Sequence, residues 1–362
     1  MHRTFPRKIK RVVVKVGSSV IATYSLKPRT ARLRSLVDQI SQLRRQNVEV
    51  VLVSSGAIVL GMGETSLLRR PTELSLLQAL AAIGQTVLMR TYVDLFKKNK
   101  TKCAQVLLTW DDFDARSRHN NARNTIEAIL KCGMVPVINE NDTVATDEIR
   151  FGDNDKLSSL VASLLNADLL VILSDVEGFY DLQNGKKTIF SEVKEITREM
   201  EGLALGTQRK NISKGGMSAK LEAIKMVTRA KIPCVIAHGE TKDVLLRVLQ
   251  GERIGTYFFE KEDKLLSRKH WISFGVKPKG KLYVDDGAKA ALLKGGRSLL
   301  LPGILKWEGH FKSQDVVVVC DKDGQEIGRG IIRYTVADLE ETHDRQGQRE
   351  VIHCNDLVLS ER

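Results

Sequence analysis

The chain has 362 residues, of which 42% are hydrophobic and 28% charged, and its net charge is +13. This composition excludes a disordered chain, and the length leaves room for two domains, each with its own core. No stretch reaches the roughly 18 uncharged apolar residues of a membrane span. The five cysteines are scattered, without a CxxC motif or a Cys/His cluster, so we expect neither disulfides nor structural zinc, and a cytoplasmic location.

Apolar strand-like runs alternate with helical patterns through the first two thirds of the chain. The runs occupy residues 12–16, 48–53, 104–108, 135–138, 169–173 and 234–237. Between them, apolar residues recur at helical spacing, as at Leu33, Leu36, Val37, Ile40 and Leu43. This βαβα order predicts an α/β fold, with a mostly parallel sheet sandwiched by helices.

The pattern changes after about residue 255. Residues 260–270 are charged and aperiodic, and short β-like runs follow at 281–284, 299–301, 316–320 and 326–334. Asp323-Gly324 lies between two of these runs and predicts a hairpin with a type I′ turn. We therefore predict one domain at 8–259, a linker at 260–270, and a second, small, mainly β and barrel-like domain at 271–362.

The net positive charge lies before residue 270. Residues 270–362 contain 14 basic and 14 acidic residues, so residues 1–269 hold the whole excess, 43 basic against 30 acidic. A basic protein suggests nucleic-acid binding, but the charge is spread over many helices, without a basic stripe interleaved with aromatic residues. A small anionic substrate explains such a field equally well.

Small residues and hydroxyls follow the first two predicted strands. The first strand ends in Lys15-Val16-Gly17-Ser18-Ser19 and the second in Ser54-Ser55-Gly56. Glycine lets backbone N–H groups approach an anion, and Lys15 can hold a positive charge above it. The alternative is that Lys15 reaches solvent from a strand edge and that Ser55 caps a helix. The chain has no P-loop motif.

The segment VPVINENDTVATDEIRFGDND, residues 135–155, runs from an apolar strand into two polar clusters. Ligands of open α/β sheets bind beyond the carboxyl ends of such strands, which favours a site for a small polar substrate. The alternative is a pair of Asx-rich turns. Two later segments also combine glycines, hydroxyls and charges: Ser174-Asp175 and the run KGGMSAK at 214–220.

Taken in this order, the segments resemble the amino-acid kinase superfamily and, within it, the glutamate 5-kinases. The trailing domain resembles the PUA domain that many of these enzymes carry. The resemblance implies ATP-dependent phosphorylation of the γ-carboxylate of L-glutamate, the first step of proline biosynthesis. It also implies a homo-oligomer and a γ-glutamyl phosphate reductase as a partner. Mg²⁺ is expected to be held by phosphates and water, with no protein ligand.

The resemblance also assigns roles to residues. Lys15 and Lys220 are predicted to bracket the transferring phosphoryl group, and Asp155 to hold both lysines. Ser55, Asp142 and Asn154 are predicted to bind glutamate, with Asp142 on the α-ammonium. The predicted ATP contacts are Lys15, Ser174, Asp175, Lys214, Gly215, Gly216, Met217, Ser218, Ala219 and Lys220. Ser213-Lys214 replaces the family's usual Gly-Thr, so Lys214 is expected to add a charged contact to ATP.

Two other functions stay open at this point. A related kinase could act on acetylglutamate, aspartate, carbamate or a nucleoside monophosphate, although Asp142 favours a substrate with a free amine. An RNA-binding protein could use the PUA-like domain. The zero net charge of residues 270–362 argues against strong non-specific RNA binding, which depends on the release of phosphate counterions.

Overall fold

The chain divides into two compact units, Met1–Lys264 and Leu265–Arg362. The computed structural model describes residues 3–114, 116–144, 154–183, 186–207, 216–261, 272, 276, 278–294, 296–342 and 349–360. Most of the predicted linker at 260–270 lies outside the described residues, so the domain boundaries stay predictions. None of the helices among the described residues has the length and apolar character to cross a membrane.

The first unit alternates strands and helices along the chain. Its strands are β1 (Arg11–Val16), β2 (Glu49–Ser54), β3 (Cys103–Leu108), β4 (Val135–Glu140), β5 (Leu169–Ser174), β6 (Tyr180–Gln183), β7 (Lys186–Ile189), β8 (Glu192–Val193), β9 (Cys234–His238) and β10 (Thr256–Phe258). Its helices are α1 (Ser18–Ile21), α2 (Thr30–Arg45), α3 (Ala57–Glu64), α4 (Leu74–Lys98), α5 (Asp111–Asp114), α6 (Arg116–Lys131), α7 (Asp155–Leu164), α8 (Arg198–Thr207), α9 (Met217–Arg229) and α10 (Val244–Leu249).

Within the described residues, eight of these strands form one sheet in the order β3-β4-β2-β1-β5-β9-β10-β8. The six from β3 to β9 are parallel, and only β10 runs antiparallel to its neighbour β9. All six strands predicted from the sequence for this unit belong to this parallel part. The carboxyl ends of β4, β2, β1 and β5 therefore lie side by side, where ligands of such sheets bind.

Both faces of the sheet are covered by helices. On one face, Val12 and Val14 of β1 lie in a core with Leu33 and Ile40 of α2 and with Tyr92 of α4. Side chains alternate along a strand, so Lys15 points to the opposite face, where α7 and α9 pack against the central strands. The predicted apolar face of α2 is confirmed, because its five apolar residues are all buried. Lys15 is thus a charged residue in the middle of the fold.

The second unit is mainly β. Its elements are β11 (Gly280–Val284), α11 (Asp286–Leu293), β12 (Leu299–Leu300), β13 (Ile304–Gly309), β14 (Val316–Cys320), β15 (Glu326–Ile331), α12 (Val336–Thr342), β16 (Glu350–Ile352) and β17 (Leu357–Leu359). Five strands form a sheet in the order β13-β11-β14-β15-β17, and β12 pairs with β16. The strands β13, β16 and β17 and both helices were not predicted from the sequence.

The hairpin predicted at Asp323-Gly324 is present, but its turn is not type I′. Strands β14 and β15 pair antiparallel on either side of it, and φ is positive at Gly324 (+84°) but not at Asp323. The Asp321 carbonyl accepts the Gly324 N–H at 3.0 Å, and the Asp321 carboxylate accepts the N–H groups of Asp323 and Gln325. A hydrogen bond from Lys289, reinforced by these N–H groups, holds the pKa of Asp321 below its usual range. Asp321 therefore stabilises a longer turn that the dipeptide rule does not describe.

Candidate functional site

Three charged side chains meet inside the first unit. The Lys15 Nζ lies 2.5 Å from Asp155 Oδ1, and the Lys220 Nζ lies 3.0 Å from Asp155 Oδ2. The exposed fractions of the three residues are 2%, 6% and 0%, respectively for Lys15, Lys220 and Asp155. The two lysine side chains share one carboxylate, and all three side chains are shielded from water. Buried charges are costly unless paired, and two lysines at one place can attract an anion.

Each member of the triad is placed by a different element. Lys15 is the penultimate residue of β1, Asp155 is the first residue of α7, and Lys220 lies in the first turn of α9. The Cys234 thiol of β9 lies near the same carboxylate. Burial, and to a smaller extent the negative charge of Asp155, raises the pKa of that thiol well above its usual range. Cys234 is therefore an uncharged neighbour of the triad.

Glycine leaves room for an anion beside Lys15. A Cβ added at Gly17 would stand 4.0 Å from the Lys15 Nζ and 3.4 Å from the Leu173 carbonyl oxygen. On the adjacent strand, Ser174 is buried and its Oγ donates to Asp175 Oδ1 at 3.0 Å. Gly216 caps α9, and Met217, Ser218 and Ala219 form its first turn with Lys220. Lys214 and Gly215 lie outside the described residues.

A chain of side-chain amides lies next to the triad. Asn154 precedes Asp155, and its Nδ2 donates to the Ser54 carbonyl at 2.5 Å and to Asn139 Oδ1 at 2.6 Å. Asn139 Nδ2 in turn donates to Gln85 Oε1 at 2.8 Å. Asn154 and Asn139 are buried, and the chain joins the end of β2, the end of β4 and the middle of α4. This chain, Asn154–Asn139–Gln85, fixes the direction in which each amide points.

The amide chain ends at a cleft of about 390 Å³. The cleft is lined by residues of α3, α4, β3 and the segment after β4: Ala57, Ala81, Ala82, Gln85, Thr86, Met89, Gln105, Leu107, Glu140, Asn141, Asp142 and Thr143. Two of them, Glu140 and Asp142, are carboxylates that can receive an ammonium group. Arg70 lies near Asp142: burial lowers the pKa of the Arg70 guanidinium, and the negative charge of Asp142 partly raises it again.

Ser55 also belongs to this region. It is 8% exposed, and its Oγ is buried without a hydrogen-bond partner among the described residues. The preceding Ser54 is different, because its Oγ shares a 3.1 Å hydrogen bond with the Tyr92 hydroxyl. Ser55 is followed by Gly56, whose φ of +91° lets the chain turn sharply from β2 into α3. The unpartnered hydroxyl is available to a ligand at this turn.

The structure brings most of the predicted site residues to one region of the sheet. Lys15 and Lys220 both contact Asp155, and Asn154, the residue before Asp155, belongs to the amide chain. Asp142 lies in the cleft where that chain ends. The sequence analysis predicted no role for Gln85 or Arg70, and it did not predict the contact between Gln85 and Asn139. Asn139 lies inside the polar segment that was noted, whereas Gln85 and Arg70 belong to no motif.

Comparison with known proteins identifies the family of the chain. Residues 10–238 match the amino acid kinase family, and residues 280–354 match the PUA domain. The chain is 41% identical to the glutamate 5-kinase of Geobacter sp. (strain M21) over 373 residues, which cover 99% of this chain and 100% of that protein. It is 44% identical to the glutamate 5-kinase of Dictyoglomus thermophilum, covering 98% of each chain. Among solved structures, it resembles the UMP kinase of Bacillus anthracis, with 14% identity, a TM-score of 0.48, and coverage of 72% of this chain and 100% of that one.

Proposed function

We propose a role for each residue of the site, given that this chain belongs to the amino acid kinase family and, within it, to the glutamate 5-kinases. The reaction is ATP-dependent phosphorylation of the γ-carboxylate of L-glutamate, which gives L-glutamyl 5-phosphate for proline biosynthesis. The observation that carries the proposal is the Lys15–Asp155–Lys220 triad, buried beside an amide-lined cleft. Neither a nucleotide-monophosphate kinase nor an RNA-binding protein is favoured.

Lys15 and Lys220 act on the phosphoryl group. Phosphoryl transfer needs positioning and the neutralisation of charge on the phosphoryl oxygens, which two buried ammonium groups provide in a site with little water. Asp155 is a positioning residue, because its two oxygens hold the two lysines at 2.5 and 3.0 Å. No general base is needed, since the γ-carboxylate is ionised at neutral pH. The nucleotide side is formed by Gly17, Ser174, Asp175 and the start of α9, with Lys214 and Gly215 as further predicted contacts.

The cleft holds the amino acid. Asp142 pairs with the α-ammonium group, and Asn154 and Ser55 contact the rest of the substrate. Ser55 supports this role through its buried hydroxyl, which has no partner among the described residues. Arg70 also lies near Asp142, so the Asp142 carboxylate interacts both with Arg70 and with the α-ammonium group of the substrate. An acylated amine would lack the charge that Asp142 attracts, which favours glutamate over acetylglutamate.

We propose that Mg²⁺ binds together with the nucleotide. The only acidic side chain in the triad, Asp155, is occupied by two lysines, so it is poorly suited to hold a cation as well. Mg²⁺ keeps several waters and is commonly bound through phosphates, which suits a site whose own charge is positive. When bound, the ion supplies further neutralisation of the phosphate oxygens.

We also propose an oligomeric state, a partner enzyme and a cellular location for this protein. The chain forms a homo-oligomer, for which the exposed apolar residues Ile83 and Val93 of α4 provide support. A γ-glutamyl phosphate reductase consumes the product, because an acyl phosphate is too reactive to accumulate. The enzyme works in the cytoplasm, in keeping with its odd number of scattered cysteines.

The substrate is tested directly by trapping the product. Purified protein with ATP and Mg²⁺ is supplied with L-glutamate, N-acetyl-L-glutamate or L-aspartate, and hydroxylamine converts any acyl phosphate to a coloured hydroxamate. We expect hydroxamate with L-glutamate and little with the other two. Turnover of N-acetyl-L-glutamate in the absence of turnover of L-glutamate would overturn the proposal.

A further inference from the structure

Gln85 has a buried amide group that the proposed roles do not use. Its Nε2 is shielded from solvent and has no hydrogen-bond partner among the described residues, although the side chain lines the cleft. Leaving a buried donor unsatisfied is costly, and native proteins rarely do so without a reason. Because the Gln85 side chain lines the cleft, a substrate group that packs against it there is a candidate partner for this atom.

The orientation of this amide follows from a backbone group. The Glu140 N–H can only donate, and it donates to Asn139 Oδ1 at 3.0 Å. Asn139 Nδ2 is therefore the end that faces Gln85, so Gln85 must present its Oε1 to it. The Nε2 is then the free end of Gln85. Flipping the Gln85 amide would set two donors against each other, so the cleft is offered a donor and not an acceptor.

The packing of α3 against α4 brings this donor close to the end of β2. Gly84, the residue before Gln85, lies so near α3 that a Cβ there would overlap the Ala57 carbonyl oxygen. Ala57 is the first residue of α3, and it lines the same cleft as Gln85. The buried, unpartnered Ser55 hydroxyl lies two residues earlier in the chain. A donor amide, a free hydroxyl and a helix N-terminus thus belong to one corner of the site, and all three suit an anionic oxygen.

We propose that Gln85 is a substrate-binding residue whose Nε2 donates a hydrogen bond to a carboxylate oxygen of the amino-acid substrate. This inference rests on the proposed function, because the substrate it needs is an amino acid with free carboxylates. Through Asn139 and Asn154, the same amide links substrate binding to the residue next to Asp155. Gln85 therefore binds the carboxylate and helps to position the substrate relative to Lys15 and Lys220.

The test variant removes the Nε2 donor but keeps a side-chain oxygen that accepts the hydrogen bond from Asn139. In Gln85→Glu, one carboxylate oxygen still accepts from Asn139 Nδ2, while the other puts an acceptor where Nε2 was. We expect the KM for L-glutamate to rise about 10- to 100-fold, the range for a lost hydrogen bond to a charged group. The KM for ATP and the melting temperature should stay close to those of the wild type. A purely structural role would leave the KM for L-glutamate unchanged, and that result would overturn the inference.

A second substrate distinguishes the two carboxylates of glutamate. L-Glutamic acid α-amide keeps the γ-carboxylate but presents an amide donor at the α position. If Gln85 binds the α-carboxylate, Gln85→Glu should lose activity with L-glutamate and keep or gain activity with the α-amide. If Gln85 binds the γ-carboxylate, the variant should lose activity equally with both substrates. Either pattern supports a carboxylate contact.

Two further variants complete the test. Gln42→Glu adds the same charge to an exposed residue of α2 that does not line the cleft, so it reports the effect of charge alone, and we expect its KM to rise at most about threefold. Gln85→Met keeps the volume without charge and decides the outcome if Gln85→Glu does not fold. Wild-type turnover of L-glutamate tests the proposed function separately, whereas the ratio of variant to wild-type KM tests this inference. An equal KM rise in Gln85→Glu and Gln42→Glu would contradict it.

Discussion

Asp155 is the residue on which the charge balance of the site depends. It is fully buried, and both of its oxygens face ammonium groups. Without it, two positive charges would stand close together in a medium that screens them poorly. The same carboxylate is therefore needed for folding and for catalysis, and the two effects have to be measured separately.

Replacing Asp155 with Asn should affect both properties. An amide cannot balance two lysines, so the free energy of unfolding should fall by about 3–5 kcal/mol, as for other broken buried pairs. Misplaced lysines should lower kcat at least about 100-fold, with a smaller change in the KM for L-glutamate. Urea unfolding and the hydroxamate assay measure the two effects.

Asp168→Asn is the matched control for this variant. Asp168 accepts hydrogen bonds from the backbone of Lys10 and Arg11, at the opposite end of β1 from Lys15. Its loss should lower stability without changing kcat. If Asp155→Asn turned over substrate as fast as Asp168→Asn, the triad would have no catalytic role.

The site residues that could be predicted are those that belong to ordered motifs at strand ends. Lys15, Asp155 and Lys220 were predicted to act together because the ordered motifs that contain them resemble those of the glutamate 5-kinases. Gln85 could not be found in this way. It lies in the middle of α4, in an apolar helical pattern with no motif, and its importance depends on the flip of Asn139 and on the unpartnered Nε2.

At the scale of elements, the contact between α3 and α4 shapes the cleft. Gly61 and Gly84 let the two helices approach until their backbones are close, because a Cβ at Gly61 would overlap the Leu80 carbonyl and one at Gly84 the Ala57 carbonyl. Backbone atoms cannot rotate away as a side-chain tip can. A methyl group at either glycine must therefore push the helices apart.

Gly84→Ala should consequently destabilise the protein by about 3 kcal/mol and raise the KM for L-glutamate, since it moves Gln85 away from Ala57. Gly202→Ala in α8 is the control, because a Cβ at Gly202 would meet no described atom within 4 Å. That change should stabilise by about 0.5–1 kcal/mol, through the helix propensity of alanine. Denaturant unfolding of both variants checks the sign of each effect. Similar behaviour of the two would contradict the close-packing argument.

The elements that could be predicted are those with long, regular patterns. Five of the six parallel strands of the first unit are buried runs and β3 is only partly buried, yet each was recognised as a strand. Strand β13 was missed because its exposed face carries Lys306 and Glu308 and its middle holds Trp307, so little of it is buried. The turn at Asp323-Gly324 was assigned the wrong type because Asp321, outside the dipeptide, forms its hydrogen bonds.

At the scale of the whole molecule, each unit has its own hydrophobic core. The large core of the first unit joins the central strands to α2, α4 and α10, and a separate core joins β11, β14 and β16 in the second. No residue belongs to both cores among the described residues. The site residues all belong to the first unit, which also holds most of the excess of positive charge.

Calorimetry should therefore resolve two unfolding transitions. Saturating ATP binds only the first unit, so its transition should move up by several degrees while the other stays in place. The unmoved transition is the control within the same scan. A single transition that moved as a whole with ATP would show that the two units unfold together.

The contacts around the triad join distant parts of the chain, which affects the order in which the protein folds. Lys220 and Asp155 are 65 positions apart in the chain, and the hydrogen bonds from Asn154 and Asn139 span 100 and 54 positions. Contacts between such distant residues form late, because each needs a long loop to close first. A newly made or refolding chain therefore gains its helices before it gains any activity. We therefore expect phosphoryl transfer to appear only in molecules in which these long-range contacts have formed.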